Sequence, residues 1–416
     1  MSVVIFAKNF RGFKSIEVDT SKFTFLIGDN SSGKSSILHL VYMVLTSGLR
    51  SVPRMKAELG VGEYDYFSKY FNNQDVTIGF IKSEPDGNYG KVVTLKKGPG
   101  LVPKITKCTF IAPEVAVTVK RRGKRAQYKI TKRGFSCIDD IPKEHQLTTG
   151  YKTGNDLLGR IEVSDPSVLF VGFRRPDELT PDLAASLFGT ILPSATFLGP
   201  IRSMPEKYYE HDRKISPMGT HFATMWHEFE NRWLSDHSEK VKTFGTTSGL
   251  FDSLHVEQIS RKFPDSPFIV SIERHGKRFL LNQVGVGVSQ VVPVIVESLY
   301  ASSMKGGRVA LMQQPELHLH PVAQAALGSF LFSMANSGLH GFMETHSSFL
   351  VDRFRSDLRA TSEVSDSSVT GQIIFCENSE QGNLAHLIEI SKFGELLNAP
   401  DSYHQFFIDE YMRTLF

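Results

Sequence analysis

The sequence predicts an α/β fold interrupted near its start by a β-rich lobe. Three observations predict it. A Gly/Ser-rich loop, Gly28-Asp29-Asn30-Ser31-Ser32-Gly33-Lys34-Ser35, joins a β-branched and aromatic run to an apolar helical run. In the last third of the chain, strand-like and helix-like segments alternate, as in a mainly parallel sheet. Between these regions, short strand-like runs alternate with Gly, Pro and Lys turns.

Taken in order, Val3–Lys8 reads as a strand, Asn9–Lys14 as a turn, and a second extended stretch runs to Val18. Lys22–Ile27 reads as a buried strand and Ser35–Leu45 as an apolar helix. Strand-like runs follow at Val76–Ile81, Lys91–Leu95, Ile105–Ile111, Val115–Lys120 and Gln127–Thr131. Lys120–Arg133 carries eight basic residues among fourteen, and alternation on both sides of Gly123 predicts a hairpin with a basic tip. Residues 156–192 are mixed in pattern. Phe197–Arg202 reads as a strand end entering a turn, and Met218–Leu234 as a helix whose Trp226 and Trp233 form a packing face. Phe268–Glu273 and Lys277–Leu281 read as a hairpin. Arg308–Met312, Gly341–Glu344 and Gln372–Cys376 read as strands, and Val322–Ala335 and Ser348–Leu358 as helices.

Composition agrees with a globular chain. The 416 residues carry a formal charge of +3, with 41% hydrophobic and 22% charged residues. This length implies two or three units, or one domain with large insertions. The overall charge is too balanced to announce a nucleic-acid or membrane partner, although a local patch remains open. Cys108, Cys137 and Cys376 lie far apart without metal spacing and read as reduced thiols. The first residues are apolar only briefly and lack a basic leader, so they do not read as a signal peptide. No apolar run in the sequence suggests a membrane span of roughly 18 residues. The expected location is the cytoplasm.

The loop fits G-x-x-x-x-G-K-[ST] at every fixed position. Glycines at Gly28 and Gly33 allow a tight turn and close approach of backbone to phosphate. Backbone N–H groups from Asn30 to Ser36 then form an anion nest, helped by the positive end of the following helix. Lys34 would reach the β/γ-phosphates and Ser35 would ligate Mg²⁺. The expected cofactors are ATP and Mg²⁺. The Arg308–Met312 strand ends in Gln313-Gln314-Pro315-Glu316, where such a fold places a Mg²⁺-binding acid. The next strand ends at Glu344-Thr345-His346-Ser347.

Four stretches in this order resemble the ABC-type ATPase family, in its SMC/RecF/OLD-like branch often described as AAA-family ATPases. They are Asn9–Lys14 with the phosphate loop, Gly285–Gln290, Gln313–Pro321 and Glu344–Ser347. The resemblance covers roughly residues 1–45 and 196–416, and implies a P-loop ABC-type fold split by the inserted lobe. The implied domains are 1–50 (phosphate loop), 51–195 (inserted lobe) and 196–416 (the rest of the ATPase). It implies an ATP-sandwich homodimer or higher oligomer in which Gly287, Ser289 and Gln290 meet the γ-phosphate held by the other subunit. His346 resembles a switch histidine, and Arg202 an interface or phosphate-sensing residue. His318 and His320 belong to the loop after the strand rather than to a metal pair.

One departure matters. Such sites have two adjacent acids before the proline, one supporting Mg²⁺ and one polarising the attacking water. Here Gln313 takes the metal position and Gln314 the catalytic one. An amide cannot take a proton and carries no charge to offset Mg²⁺. Three explanations stand: slow hydrolysis with Glu316 or Glu344 as the nearest carboxylate, an ATP-binding switch, or an amide substituted for an acid to trap ATP. The resemblance then implies a nucleotide-gated sensor of a separate effector, a nuclease or toxin, in bacterial antiphage defence. The alternative is a RecF/SMC-like ATPase acting on DNA in repair, using the Lys120–Arg133 hairpin on nucleic acid. A fused OLD-type nuclease is disfavoured, because Phe393–Pro400 reads as a closing turn and terminal helix.

Overall fold

The computed structural model describes residues 2–49, 67–68, 74–98, 103–122, 125–132, 134, 140–153, 192–211, 215–232, 234–260, 262–263, 266–303, 308–364 and 369–406. Trp233, Gly123, Cys137, Arg133 and the mixed segment 156–191 lie outside them. The chain divides into two compact units. One comprises Met1–Ser21, Ser31–Leu192 and Glu377–Leu384; the other comprises Lys22–Asn30, Pro193–Cys376 and Ala385–Phe416.

The first unit is built on an eight-stranded sheet in the order β2-β1-β4-β5-β6-β7-β8-β9. Its strands are β1 (Ser2–Phe10), β2 (Phe13–Asp19), β4 (Val76–Glu84), β5 (Gly87–Lys97), β6 (Pro103–Ala112), β7 (Val115–Arg122), β8 (Arg125–Lys132) and β9 (Lys152–Thr153). Every pairing is antiparallel. The strands at the start of the chain thus share one sheet with the lobe, through the β1–β4 pairing. Alternation explains the lobe: Val93, Cys108 and Val119 share one apolar face, and Thr94, Lys107 and Lys120 the opposite polar one. The basic hairpin forms as expected, with Arg122 opposite Arg125. Among the described residues, the unit's helices include α1 (Lys34–Ser47) and the short α2 (Asp140–Gln146).

The second unit holds a seven-stranded sheet ordered β10-β14-β15-β3-β16-β17-β18. These are β3 (Phe23–Gly28), β10 (Ser194–Leu198), β14 (Arg308–Gln313), β15 (His340–Glu344), β16 (Gly371–Glu377), β17 (Leu384–Ile390) and β18 (Leu396–Leu397). From β10 to β16 the neighbours run parallel. All six residues of β3 are buried, as a central parallel strand covered on both faces requires. Phe23 and Phe25 pack against Phe354, with ring centroids 4.9 Å and 5.1 Å away. Helices α3 (Phe222–Arg232), α4 (Leu234–Ser248), α5 (Val286–Ser303), α6 (Pro321–Asn336) and α7 (Ser348–Val364) belong to this unit, as does a small antiparallel sheet of β11 (Ser253–Gln258), β12 (Phe268–Arg274) and β13 (Lys277–Leu280). Trp226 of α3 is buried in the core.

Three differences from the sequence expectations have physical causes. Strand β18 lies inside Phe393–Pro400, expected to hold a closing turn and terminal helix, and β17 precedes it where no strand was expected. They pair across a turn at Gly394, whose φ of +73° suits glycine. Helix α5 begins at Val286, although helical spacing shows from Gln290 to Met304 and the resemblance makes Gly285–Gln290 a loop capping that helix. At 18 residues α5 is also long and apolar enough to cross a membrane by composition, contrary to expectation; 72% of that stretch is buried in the core. Cys108 and Cys376 are both buried, and neither is in a disulfide.

Candidate nucleotide site

The phosphate loop leaves β3 at Gly28, in the second unit, and enters α1 at Lys34, in the first. Two positions need glycine. Gly28 has φ +139°, and a Cβ there would overlap the carbonyl oxygen of Cys376, its register partner on β16. Gly33 has φ +99°, and a Cβ would press on the Phe13 ring and the Asn383 amide. Ser31 also takes a left-handed φ, +63°. Asp29, Asn30 and Ser31 are exposed, while Ser32 and Lys34 are buried. Helix α1 has Gly33 as its N-cap, no side-chain cap and no acidic residue in its first turn. Its positive end therefore carries no carboxylate, which fits a bound triphosphate.

The Asn9–Lys14 turn supports α1. Asn9 and Arg11 take φ of 55° and 48°. The Asn9 amide donates to the Asp75 carbonyl at 3.1 Å. Arg11 reaches Nδ1 of His39 at 3.0 Å and donates to Ser36 at 3.4 Å. Burial, then Arg11, lowers the His39 pKa to about 4, so His39 is the neutral acceptor of that bond. Ser36, a predicted phosphate ligand, thus faces Arg11. Asn383 donates its N–H to the Gly12 carbonyl at 2.9 Å. Neither His39 nor Asn383 was legible in the sequence, because no motif carries them.

In the second unit, parallel pairing aligns the carboxyl ends of β14, β15 and β3. Gln313 registers with Glu344, Glu344 with Leu26, and the Thr345 N–H donates to Leu26. The crevice beyond these strand ends is where open α/β sheets bind ligands. The Gln313 amide donates to the Glu344 carboxylate at 2.8 Å. Gln314 takes a left-handed φ of 44°, turning the chain off the sheet. Glu316 is buried, and its Oε1 accepts the His346 N–H at 2.8 Å. Its Oε2 has no partner, and burial raises its pKa against opposing hydrogen bonds and Arg202. Arg202 is 4% exposed and donates from Nη2 to the carbonyls of Gln313 and Gln314, each at 3.0 Å. Burial brings its pKa down to about 10, with Glu316 opposing. Its Nε and Nη1 groups have no partner. His346 is exposed at the turn into α7, which Ser347 caps by accepting the Leu350 N–H. His320 caps α6 by accepting the Ala323 N–H.

The Gly285–Gln290 segment is the first turn of α5. The Ser289 hydroxyl donates to the Val286 carbonyl at 3.0 Å and is buried. Gln290 donates to the Ser203 carbonyl at 3.3 Å. Gly287 lies so close to the His318 carbonyl that a Cβ would come within 2.7 Å of it. Pro293, inside α5, has no N–H to give the Ser289 carbonyl, so this first turn is held one bond less firmly.

Residues 4–114 match the family of the AAA ATPase domain. The match runs through β6, so the first lobe strands share it with the phosphate loop, which the sequence resemblance alone did not reach. No curated protein matches the chain significantly. Among solved structures, an SMC head bound to the C-terminal winged-helix domain of ScpA aligns over 94% of this chain and 98% of its own, at 11% identity and TM-score 0.52. An SMC head from Thermotoga maritima covers 94% and 100% at 10% identity and TM-score 0.41. An SMC head from Pyrococcus furiosus, with an extended coiled coil and bound to ScpA, covers 99% and 100% at 10% identity and TM-score 0.42. Residues 4–114 thus match an AAA ATPase domain, and the chain shares the ABC-type P-loop fold of an SMC head.

Proposed function

We propose that the chain is a nucleotide-gated dimer that hydrolyses ATP slowly and controls a separate cytoplasmic effector, a nuclease or toxin, in bacterial antiphage defence. The observation that carries slow hydrolysis is the pair of amides at the end of β14. Gln313 is engaged by Glu344, and the carboxylate of this loop is displaced to Glu316, which is tied to the backbone of His346. Lys34, Ser35 and the backbone of the phosphate loop would hold ATP with Mg²⁺, and the metal would neutralise phosphate charge. Glu316, with no hydrogen-bond partner on Oε2, or Glu344, which already accepts from Gln313, is the replacement carboxylate for the attacking water. Because Glu316 also holds His346, a change at the γ-phosphate felt by His346 passes directly to the β14 loop. Four exposed apolar side chains around the first turn of α5 support a dimer: Ile201, Met204, Met218 and Val286. They are linked through Ser203, which bonds Met218 and Gln290. An SMC head of this fold is itself solved with a separate protein, a ScpA domain, which supports the effector reading.

Mass photometry with ATP and Mg²⁺, with and without Lys34→Ala, tests the reading. A doubled mass appears with the parent chain and is absent with the variant. A monomer under both conditions refutes the dimer, and turnover of tens per second refutes slow hydrolysis.

A further inference from the structure

The lobe contains an arrangement that the nucleotide site does not use. Lys107 on β6 stands directly opposite Lys120 on β7, and Lys129 on β8 stands opposite Thr118, on the same face. Like charges placed opposite each other weaken a sheet. Here they are gathered around Tyr151. The Lys120 ammonium lies 3.6 Å from the Tyr151 ring centroid and that of Lys107 5.9 Å away. Lys107 donates to the Leu147 carbonyl at 3.0 Å, Lys120 to Thr148 at 3.5 Å, and the Tyr151 hydroxyl to Leu147 at 3.1 Å. Among the described residues one carboxylate enters the cluster: Glu144, 3.1 Å from Lys129 and also bonded to Thr131. Three ammonium groups against one carboxylate leave two positive charges in excess. Burial, then Lys120 and Lys129, bring the Lys107 pKa down to about 8, so the cluster remains cationic at neutral pH. His145 beneath it is neutral, bonded to Thr94 at 2.8 Å and Thr109 at 2.7 Å, and adds no counter-charge.

We propose that Lys107, Lys120 and Lys129 form a binding site for the phosphates of a nucleic-acid strand. Two features favour a polyanion over an acidic peptide. The surplus is concentrated, offering several N–H donors to one tetrahedral oxyanion. It also continues along the same hairpin, whose residues 120–133 contain no acidic residue. This deepens the sensor reading by naming the class of trigger, and rests on that reading only for what binding causes.

Anisotropy of the full chain with labelled duplex and single-stranded oligonucleotides, in a salt series without nucleotide and with inorganic phosphate as competitor, tests the site. Lys107→Gln with Lys120→Gln should weaken binding about tenfold and reduce the slope of log K against log salt by about 2. Lys107→Arg, which keeps the charge, should retain binding. If the lysines serve only to hold the carbonyls after α2, the double variant melts lower yet binds with the parent slope, and the proposal fails. It fails equally if the parent chain binds neither oligonucleotide, or if Arg121→Glu with Arg122→Glu abolishes binding while the double lysine variant retains it. ATP-driven dimerisation is then measured with oligonucleotide present. If the site binds but dimerisation is indifferent to it, the site stands and the sensor reading falls.

Discussion

Replacing Arg202 by methionine keeps the length of the side chain and removes a buried charge. The guanidinium makes two hydrogen bonds, to the carbonyls of Gln313 and Gln314, each at 3.0 Å. Bonds from a charged donor contribute about 1.5–3 kcal/mol each, so roughly 3–6 kcal/mol is lost. Against this stands relief of desolvation: burial lowers the Arg202 pKa from 12.5 to about 10, and one unit is about 1.4 kcal/mol, so about 3 kcal/mol returns. The net cost of Arg202→Met is then about 0–3 kcal/mol. The variant also strips Glu316 of its cationic neighbour, so the Glu316 pKa rises further. A buried carboxyl with a raised pKa stabilises the fold while protonated, and that contribution is lost as pH rises through its folded pKa. Arg202→Met should therefore cost more near pH 8 than near pH 5. Glu316→Gln in the same background should remove the difference. Urea melts followed by tryptophan fluorescence provide the assay, since Trp226 is buried in the second unit and the chain has two tryptophans. The cycle should show coupling of about 1–3 kcal/mol; singles that add to within about 0.5 kcal/mol at both pH values refute a direct Arg202–Glu316 interaction.

Three further outcomes follow from the same geometry. Gln314→Glu places a carboxylate where the resemblance puts the group that polarises the attacking water, and steady-state turnover should rise at least about tenfold, since a general base contributes roughly 10²–10⁴; unchanged turnover would remove the amide as the cause of the proposed slow hydrolysis. Burial, then Lys107, lowers the His145 pKa from 6.5 to about 3. The unfolded chain therefore binds this proton first, and the first unit loses stability as pH falls from 6.5 toward about 3; amide exchange across β5–β7 at both ends of that window, with His145→Gln flattening the trend, checks it. Gly28→Ala forces a Cβ onto the Cys376 carbonyl at φ +139° and should cost more than about 3 kcal/mol, whereas Gly285→Ala, with open space around it, should stay within about 0.5 kcal/mol in the same thermal melt.

How legible each feature was depends on how local its cause is. The phosphate loop could be read because its glycines answer to backbone conformation and its lysine to ligand charge. Strands such as β5, β6 and β14 showed in their side-chain alternation or apolar runs. The start of α5 was misplaced because Gly285 and Gly287 look like a loop, while Gly287 is small to admit the His318 carbonyl, a contact 31 residues away in sequence. Strands β17 and β18 were missed because their residues are partly exposed and lack a clean period.

The sequence by itself determined the chemistry of the phosphate loop, the amides in place of acids, and the alternating elements of a parallel sheet. All of these are set by a few consecutive residues. Only the tertiary structure decided that Arg202 clamps the carbonyls after β14, that Glu316 is buried and bonded to His346, and that Lys107 and Lys120 meet at Tyr151 with Lys129 on the same face. Pairing register and burial bring together residues far apart in the chain, and only there do burial and neighbouring charge act on them.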